Sequence, residues 1–398
     1  MASRYKEIKL RPKKDESLKR FHPWVFSGAI AHKTSEIREG EVVRVLASDD
    51  TFLGIGHYQI GSIAVRILSF DDEPIDAAFY EKRIAEAYQM RQNIDLVRAD
   101  NNTYRLIHGE GDNLPGLIID MYANTAVVQA HSVGMHEDLS LIVDALKKVL
   151  PDGILQHIFY KSESTLPYKA DIAPEDAYIF GGKNASNIAL ENGLKFHIDW
   201  LKGQKTGFFI DQRENRTLFE HYAKNRNVLN MFCYTGGFSV YALRGGATRV
   251  DSVDSSAKAM MITEQNVQAN FGNDARHQAY TEDAFKFLKE SAPSTYDLIV
   301  LDPPAFAKHR GAINNALQGY KKLNLSAFAN IKSGGILFTF SCSQAISKEQ
   351  FRLAVFSAAA ISGRKVRILH QLTQPADHPV NIYHPEGEYL KGLVLYVE

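Results

Sequence analysis

Cysteine is scarce in this chain: Cys233 and Cys342 are the two among 398 residues. That is too few for a disulfide framework or a cysteine-based zinc centre, so each matters through reactivity or packing. No apolar run approaches the roughly 18–20 residues that span a bilayer, and no charged-then-apolar leader opens the sequence. A cytoplasmic protein with neither membrane nor metal partner is expected. HExxH does not occur, and His131 and His136 are too loosely placed to argue a metal. GxGxxG and GxxxxGK[ST] are also missing, which weakens any dinucleotide or triphosphate reading. Net charge is lacking too, because 46 Lys and Arg balance 46 Asp and Glu. A nucleic-acid partner must then be held by local patches.

What is present is ordinary for a soluble globular chain of two or three domains, with 45% hydrophobic and 23% charged residues. One basic patch opens it. Between Arg4 and Arg20 stand eight cations, among them Lys13, Lys14, Lys19 and Arg20, against three acids. They run into Phe21-His22-Pro23-Trp24-Val25-Phe26, the pairing of cations and aromatics that phosphate contact with base stacking requires. A solvated face beside a core aromatic cluster explains the pattern equally well. Short strands follow at 41–46, 52–58 and 63–68, predicting a small β domain over residues 1–73.

Asp76 is placed to cap a helix carrying Tyr80, Ile84 and Tyr88. Strands are expected at 104–108, 117–121, 126–131 and 154–160. A core-facing helical stripe runs through Leu139, Ile142, Val143, Leu146, Val149 and Leu150. Residues 74–186 thus read as a middle α+β domain. The turn-rich His108–Leu117 stretch is more simply a Gly/Pro hairpin than a substrate loop.

From 187 to 398 strands alternate with helices, the signature of a doubly wound α/β sheet of seven mostly parallel strands, the last inserted antiparallel. Ligands in such folds bind at the carboxyl ends of the strands. The first strand runs into Phe232-Cys233-Tyr234-Thr235-Gly236-Gly237, whose glycines permit close approach to a cofactor. Asp254 ends the second strand, followed by Ser255, where a carboxylate can accept both ribose hydroxyls. Asp283 and Ala284 follow the third, where an acid can take the exocyclic amine of adenine. The fourth, Tyr296–Phe306 (YDLIVLDPPAF), is buried on both faces and ends in Asp302, stiffened by Pro303 and Pro304 and followed by Phe306. The ordered set resembles the S-adenosylmethionine methyltransferase fold, with Asp302 bordering both cofactor and base.

Amino-group methyltransferases of that fold carry an aromatic directly after the second proline. Here Ala305 takes that place, which argues against amino methylation. After the fifth strand comes Phe340-Ser341-Cys342-Ser343, on the same rim as Asp302. A thiol there suits cytosine, whose C5 becomes nucleophilic once a thiolate adds to C6. Asp302 can hydrogen-bond or protonate N3 as the adduct forms. The base that takes the C5 proton is not identifiable, with His378 as one candidate.

HPWVFSGAI, HGEGDNLPGL, GQKTGFFIDQREN (203–215), LDPPAF, SCS and DHP…YLKG (377–392) together resemble the bacterial 23S ribosomal RNA large-subunit methyltransferase I family. The likeness covers essentially the whole chain. It implies an N-terminal PUA-like, RNA-binding barrel, S-adenosylmethionine as cofactor, 23S ribosomal RNA as partner and 5-methylcytosine as product. It also implies that Thr206, Asp211 and Arg213 lie against the methionine end of the cofactor. A homodimer is one assembly open to the chain. Two other readings stand beside this one: a guanine-N7 methyltransferase, whose family shares DPPxF but lacks the cysteine, and a non-catalytic RNA-binding protein with a degenerate methyltransferase half.

Overall fold

A computed structural model of the chain describes residues 5–34, 36–167, 172, 174–182, 184–307 and 309–398. The N-terminal β segments are β1 (Lys6–Leu10), β2 (Trp24–Phe26), β3 (Ile30–Lys33), β4 (Val42–Leu46), β5 (Phe52–Tyr58) and β6 (Ile63–Ser69). They form a six-stranded sheet in the order β2-β6-β5-β4-β1-β3, with the short helix α1 (Glu16–Lys19) between the first two. The basic stretch is therefore partly sheet. In β1 the sequence KEIKL alternates, so Ile8 and Leu10 are fully buried while Lys6 and Lys9 reach Glu41 and Asp50. Two apolar positions among five residues are too few to stand out as a strand in sequence.

The next elements are α2 (Ala77–Asn93), β7 (Thr103–His108), β8 (Leu117–Tyr122), β9 (Thr125–Ala130), α3 (Val133–Glu137), α4 (Leu139–Val149), β10 (His157–Tyr160) and β11 (Ala177–Phe180). Asp76 caps α2, its carboxylate accepting from the N–H groups of Ala78 and Phe79 at 3.0 and 3.3 Å. The sheet order is β11-β10-β9-β8-β7, and the His108–Leu117 stretch joins the antiparallel pair β7 and β8 as a hairpin. Tyr80, Ile84 and Tyr88 of α2 and Ile142 and Leu146 of α4 share one core with Leu106, Ile119 and Val128 of the sheet.

By packing, both of these sheets belong to one compact unit, Met1–Leu190, which also takes in Ile198–Ile210 and Ala376–Gly387. The late return is tied by polar contacts. The Asp377 carboxylate accepts from the Arg105 N–H, and its carbonyl accepts from the buried Arg91 guanidinium, both at 2.9 Å.

A short pair, β12 (Ile188–Glu191) and β13 (Leu194–His197), leads to the second unit: Glu191–His197, Asp211–Pro375 and Glu388–Glu398. Its elements are α5 (Arg213–His221), β14 (Asn227–Met231), α6 (Gly237–Arg244), β15 (Arg249–Asp254), α7 (Ala257–Phe271), β16 (His277–Thr281), α8 (Ala284–Glu290), β17 (Tyr296–Leu301), α9 (Ile313–Asn330), β18 (Ile331–Ser341), α10 (Lys348–Ser362), β19 (Val366–Leu372) and β20 (Lys391–Val397). The seven-stranded sheet runs β16-β15-β14-β17-β18-β20-β19. The first five strands are parallel, and β20 is antiparallel to both neighbours, as the missing helix before it predicts. Leu229, Ile299, Leu301 and Leu337 of the sheet pack against Tyr320 and Phe351 of the helices. Among the described residues no helix is long and apolar enough to cross a membrane.

Candidate active site

The carboxyl ends of β14, β15, β16, β17 and β18 define one rim of the second unit, because these strands are parallel neighbours. After β14 the backbone turns sharply. Phe232 (φ 58°), Tyr234 (φ 49°) and Gly236 (φ 77°) all adopt the left-handed conformation. For side-chain-bearing residues this costs about 1–3 kcal/mol each and marks a functional loop held by its surroundings. The surroundings are identifiable. Tyr234 N–H donates to Asp254 at 2.9 Å, the Thr263 hydroxyl to the Tyr234 carbonyl at 3.0 Å, and the Asn266 amide to the Thr235 carbonyl at 2.8 Å. At Gly236 an added Cβ would meet the Thr263 methyl at 2.5 Å, so the turn tolerates no larger residue.

Asp254 ends β15 with its other carboxylate oxygen accepting from Ser256 N–H at 2.9 Å. Both oxygens are thus oriented and keep lone pairs for a diol. Ser255 is exposed. Asp283 caps α8, accepting from Lys286 N–H at 2.9 Å, and Ala284 is buried behind it. The Thr235 hydroxyl is buried and has no partner among the described residues. A nucleoside with a polar tail fits this cradle: a glycine turn, a helix N-terminus, an oriented acid and an unsatisfied hydroxyl.

Asp302 follows β17. Burial pushes its carboxyl up to about 7, the neighbouring Asp211 carboxylate adds to the push, and a hydrogen bond from Gln212 opposes it. Asp211 is itself held by the Tyr389 hydroxyl at 2.7 Å, and Arg213 is buried at the start of α5. Thr206 belongs to the first unit, where its hydroxyl donates to Asp120 at 2.6 Å and meets the Tyr122 hydroxyl at 2.8 Å. Pro303 is buried and Pro304 exposed. Phe306 packs on Tyr320 with ring centroids 4.7 Å apart.

The turn after β18 is pinned on both sides of a half-buried Cys342. The Ser341 hydroxyl donates to the Tyr320 hydroxyl at 2.9 Å, which lies 3.1 Å from the Ser343 hydroxyl. Beneath it Lys391 Nζ donates to the carbonyls of Ser343 and Ile346 at 2.7 and 2.9 Å. Cys233 differs in kind: burial pushes its thiol strongly up, and its sulfur lies 3.5 Å from Met260 Sδ. Its environment keeps it protonated and inert.

Lys13, Lys14, Lys19 and Arg20 are all exposed in the first unit, with Lys19 paired to Asp15 at 2.6 Å. Phe21, Phe26 and Tyr383 are exposed as well, and the rings of Phe21 and Tyr383 are 5.3 Å apart. His378, the candidate base, is buried in this unit against Asp377 and His108. His22, His384 and Glu386 cluster closely enough for a metal. His22 Nδ1 accepts from Trp24 N–H at 3.3 Å, and its Nε2 lies 3.4 Å from the Glu386 carboxylate.

Sequence reading missed Gln212, Tyr389, Tyr320 and Lys391. Gln212, Tyr389 and Lys391 lay within stretches already singled out, but nothing there announced their contacts with Asp302, Asp211 and the cysteine turn.

The fold and the rim define an S-adenosylmethionine-dependent methyltransferase. A family model described as S-adenosylmethionine-dependent methyltransferase matches residues 164–383, and a PUA-like domain model matches residues 8–70. The chain is 39% identical over 395 residues to ribosomal RNA large subunit methyltransferase I of Alteromonas mediterranea, covering 98% of each chain. It is 40% identical to the protein of that name from Shewanella denitrificans, covering 98% of this chain and 99% of the relative. The chain belongs to the ribosomal RNA large subunit methyltransferase I family. Among solved structures, SMU.776, a candidate methyltransferase in complex with SAH, superposes with a TM-score of 0.84 at 23% identity over 98% of this chain and 100% of its own.

Proposed function

We propose that the protein methylates C5 of a cytosine in 23S ribosomal RNA through a covalent adduct between Cys342 and C6. The observation that carries this reading is Cys342 itself, half-buried in a pinned turn on the strand next to Asp302, while the other cysteine is buried and inert. Bound S-adenosylmethionine supplies the electrophilic methyl. Asp254 takes the ribose hydroxyls, Asp283 the adenine amine, and the Phe232–Gly236 turn the close face of the nucleoside, with Asp211 and Arg213 toward the methionine end.

The Cys342 thiolate adds to C6, and the C5–C6 electron pair shifts toward N3. Asp302, raised to about 7, is protonated in a substantial fraction of molecules at neutral pH; that form donates its proton to N3 and leaves an enamine whose C5 attacks the methyl. Loss of the C5 proton to a base and expulsion of the thiolate restore the double bond and free Cys342, and the N3 proton returns to Asp302. Pro303, Pro304 and Phe306 border the base. The exposed cations Lys13, Lys14, Lys19 and Arg20, beside Phe21 and Phe26, grip the RNA, and such a substrate implies a cytoplasmic protein. Exposed Leu353, Phe356 and Ile361 on α10 support a homodimer, which sedimentation equilibrium tests.

Mass spectrometry of nucleosides from ribosomal RNA methylated by the purified protein tests the product. The reading requires 5-methylcytidine. 7-Methylguanosine would establish the alternative product, and no modified nucleoside the non-catalytic reading.

A further inference from the structure

We infer that Lys391 is a positioning residue for this cysteine chemistry: its ammonium fastens the turn that presents Cys342 and supplies the positive charge that favours the thiolate. The inference rests on the reading of Cys342 as the nucleophile. Lys391 opens β20 and pairs across the sheet with Ser341, the residue before Cys342. Its Nζ reaches back to the carbonyls of Ser343 and Ile346 at 2.7 and 2.9 Å, so the lysine brackets the cysteine from both sides.

A buried ammonium is costly unless its donors are satisfied, and the two carbonyls take two of its three. An apolar side chain of similar length would fill the space without that cost, so packing alone does not call for a cation. Ionisable groups act on the thiol from two elements. From α9 comes Tyr320, whose hydroxyl burial keeps protonated, and from β20 comes Lys391, each in electrostatic contact with Cys342. Lys348 and Glu388, which also act on Lys391, form an ion pair with each other, so their charges largely cancel. Lys391 thus brings a positive charge to the sulfur. Burial draws its ammonium down to about 8, with the Cys342 thiolate and Glu388 opposing, so at neutral pH most of it carries charge. The two groups titrate as a pair, the cation holding the thiolate and the thiolate holding the cation.

The test is the pH dependence of iodoacetamide alkylation of the full-length protein, without RNA or cofactor, with Cys342 and Cys233 peptides resolved by mass spectrometry. Cys342 should alkylate with a midpoint about one unit below the free-thiol value of about 8.5, while Cys233 stays slow. Lys391→Met should raise the midpoint by about one unit, leaving about tenfold less thiolate at pH 7, and Lys391→Arg should restore it. Lys391→Gln can still donate to a backbone carbonyl but removes the charge, so it should behave like Met and serves should Met not fold. An unchanged midpoint in folded Lys391→Gln or Lys391→Met overturns the inference. The readout needs no turnover, so it stays separate from the nucleophile reading, which fails instead if Cys342→Ser keeps methylating.

Discussion

Leu301 and Thr339 are partners across the parallel strands β17 and β18. Asp302 therefore leaves its strand beside Phe340, two residues before Cys342, and acid and thiol emerge at the same end of adjacent strands. Each contributes what the other lacks. Burial raises the acid to about 7, so a substantial fraction holds its proton at neutral pH, and the cysteine turn is fixed by Tyr320 and Lys391.

Replacing Asp302 by Asn should leave a hydrogen-bond donor for N3 but no proton to transfer. Loss of general acid catalysis is expected to lower kcat by about 10²–10⁴-fold with little change in RNA affinity. The pH profile should change as well. Asp302 is raised to about 7, so activity that needs its proton is full below that value and falls as pH climbs through it. The alkaline limb of kcat/KM against pH should be present in the native protein and absent from the residual activity of Asp302→Asn. A limb retained in the variant would assign it to another group.

Asp254→Ala should weaken S-adenosylmethionine binding by about 1.5–3 kcal/mol, the worth of hydrogen bonds to a charged group. It also removes the acceptor of Tyr234 N–H, so the strained turn should loosen. Calorimetry on the folded variant gives the answer, and unchanged affinity would refute the ribose assignment.

Replacing Lys13, Lys14, Lys19 and Arg20 together by Ala should raise KM for RNA and flatten its salt dependence, since each lost phosphate contact lowers the slope by about one. Lys19 already serves Asp15, so its share should be the smallest of the four. Cofactor affinity should not move. An unaltered salt slope would make the segment a solvated face.

The strand-end positions of Asp302 and Cys342 were legible in the sequence because each follows a largely apolar run, and a buried strand that stops at a polar residue marks a sheet edge without knowledge of the rest; Asp254, at the end of the mixed strand RVDSVD, was placed by the alternation of strands and helices instead. The antiparallel last strand was legible too, since the gap before it holds no helical pattern. Other features depend on distant pairing. Lys391 meets Ser343 only because β20 inserts between β18 and β19, a register no local pattern encodes. The return of Ala376–Gly387 to the first unit rests on contacts such as Arg105 to Asp377, far apart in the chain. The left-handed backbone at Phe232 and Tyr234 left no trace, because neither residue type favours that conformation and only the packed surroundings impose it.

The central claim is a covalent bond between Cys342 and cytosine C6, and 5-fluorocytosine tests it most directly. RNA carrying this base at the target can undergo addition and methyl transfer, but fluorine cannot leave C5 as a proton does, so elimination stops. A protein–RNA adduct that survives denaturing electrophoresis is expected, dependent on S-adenosylmethionine and lost in Cys342→Ser while cofactor binding persists. Near-normal methylation by Cys342→Ala, with no trapped adduct in the native protein, would contradict the account and return Cys342 to the role of a packing residue.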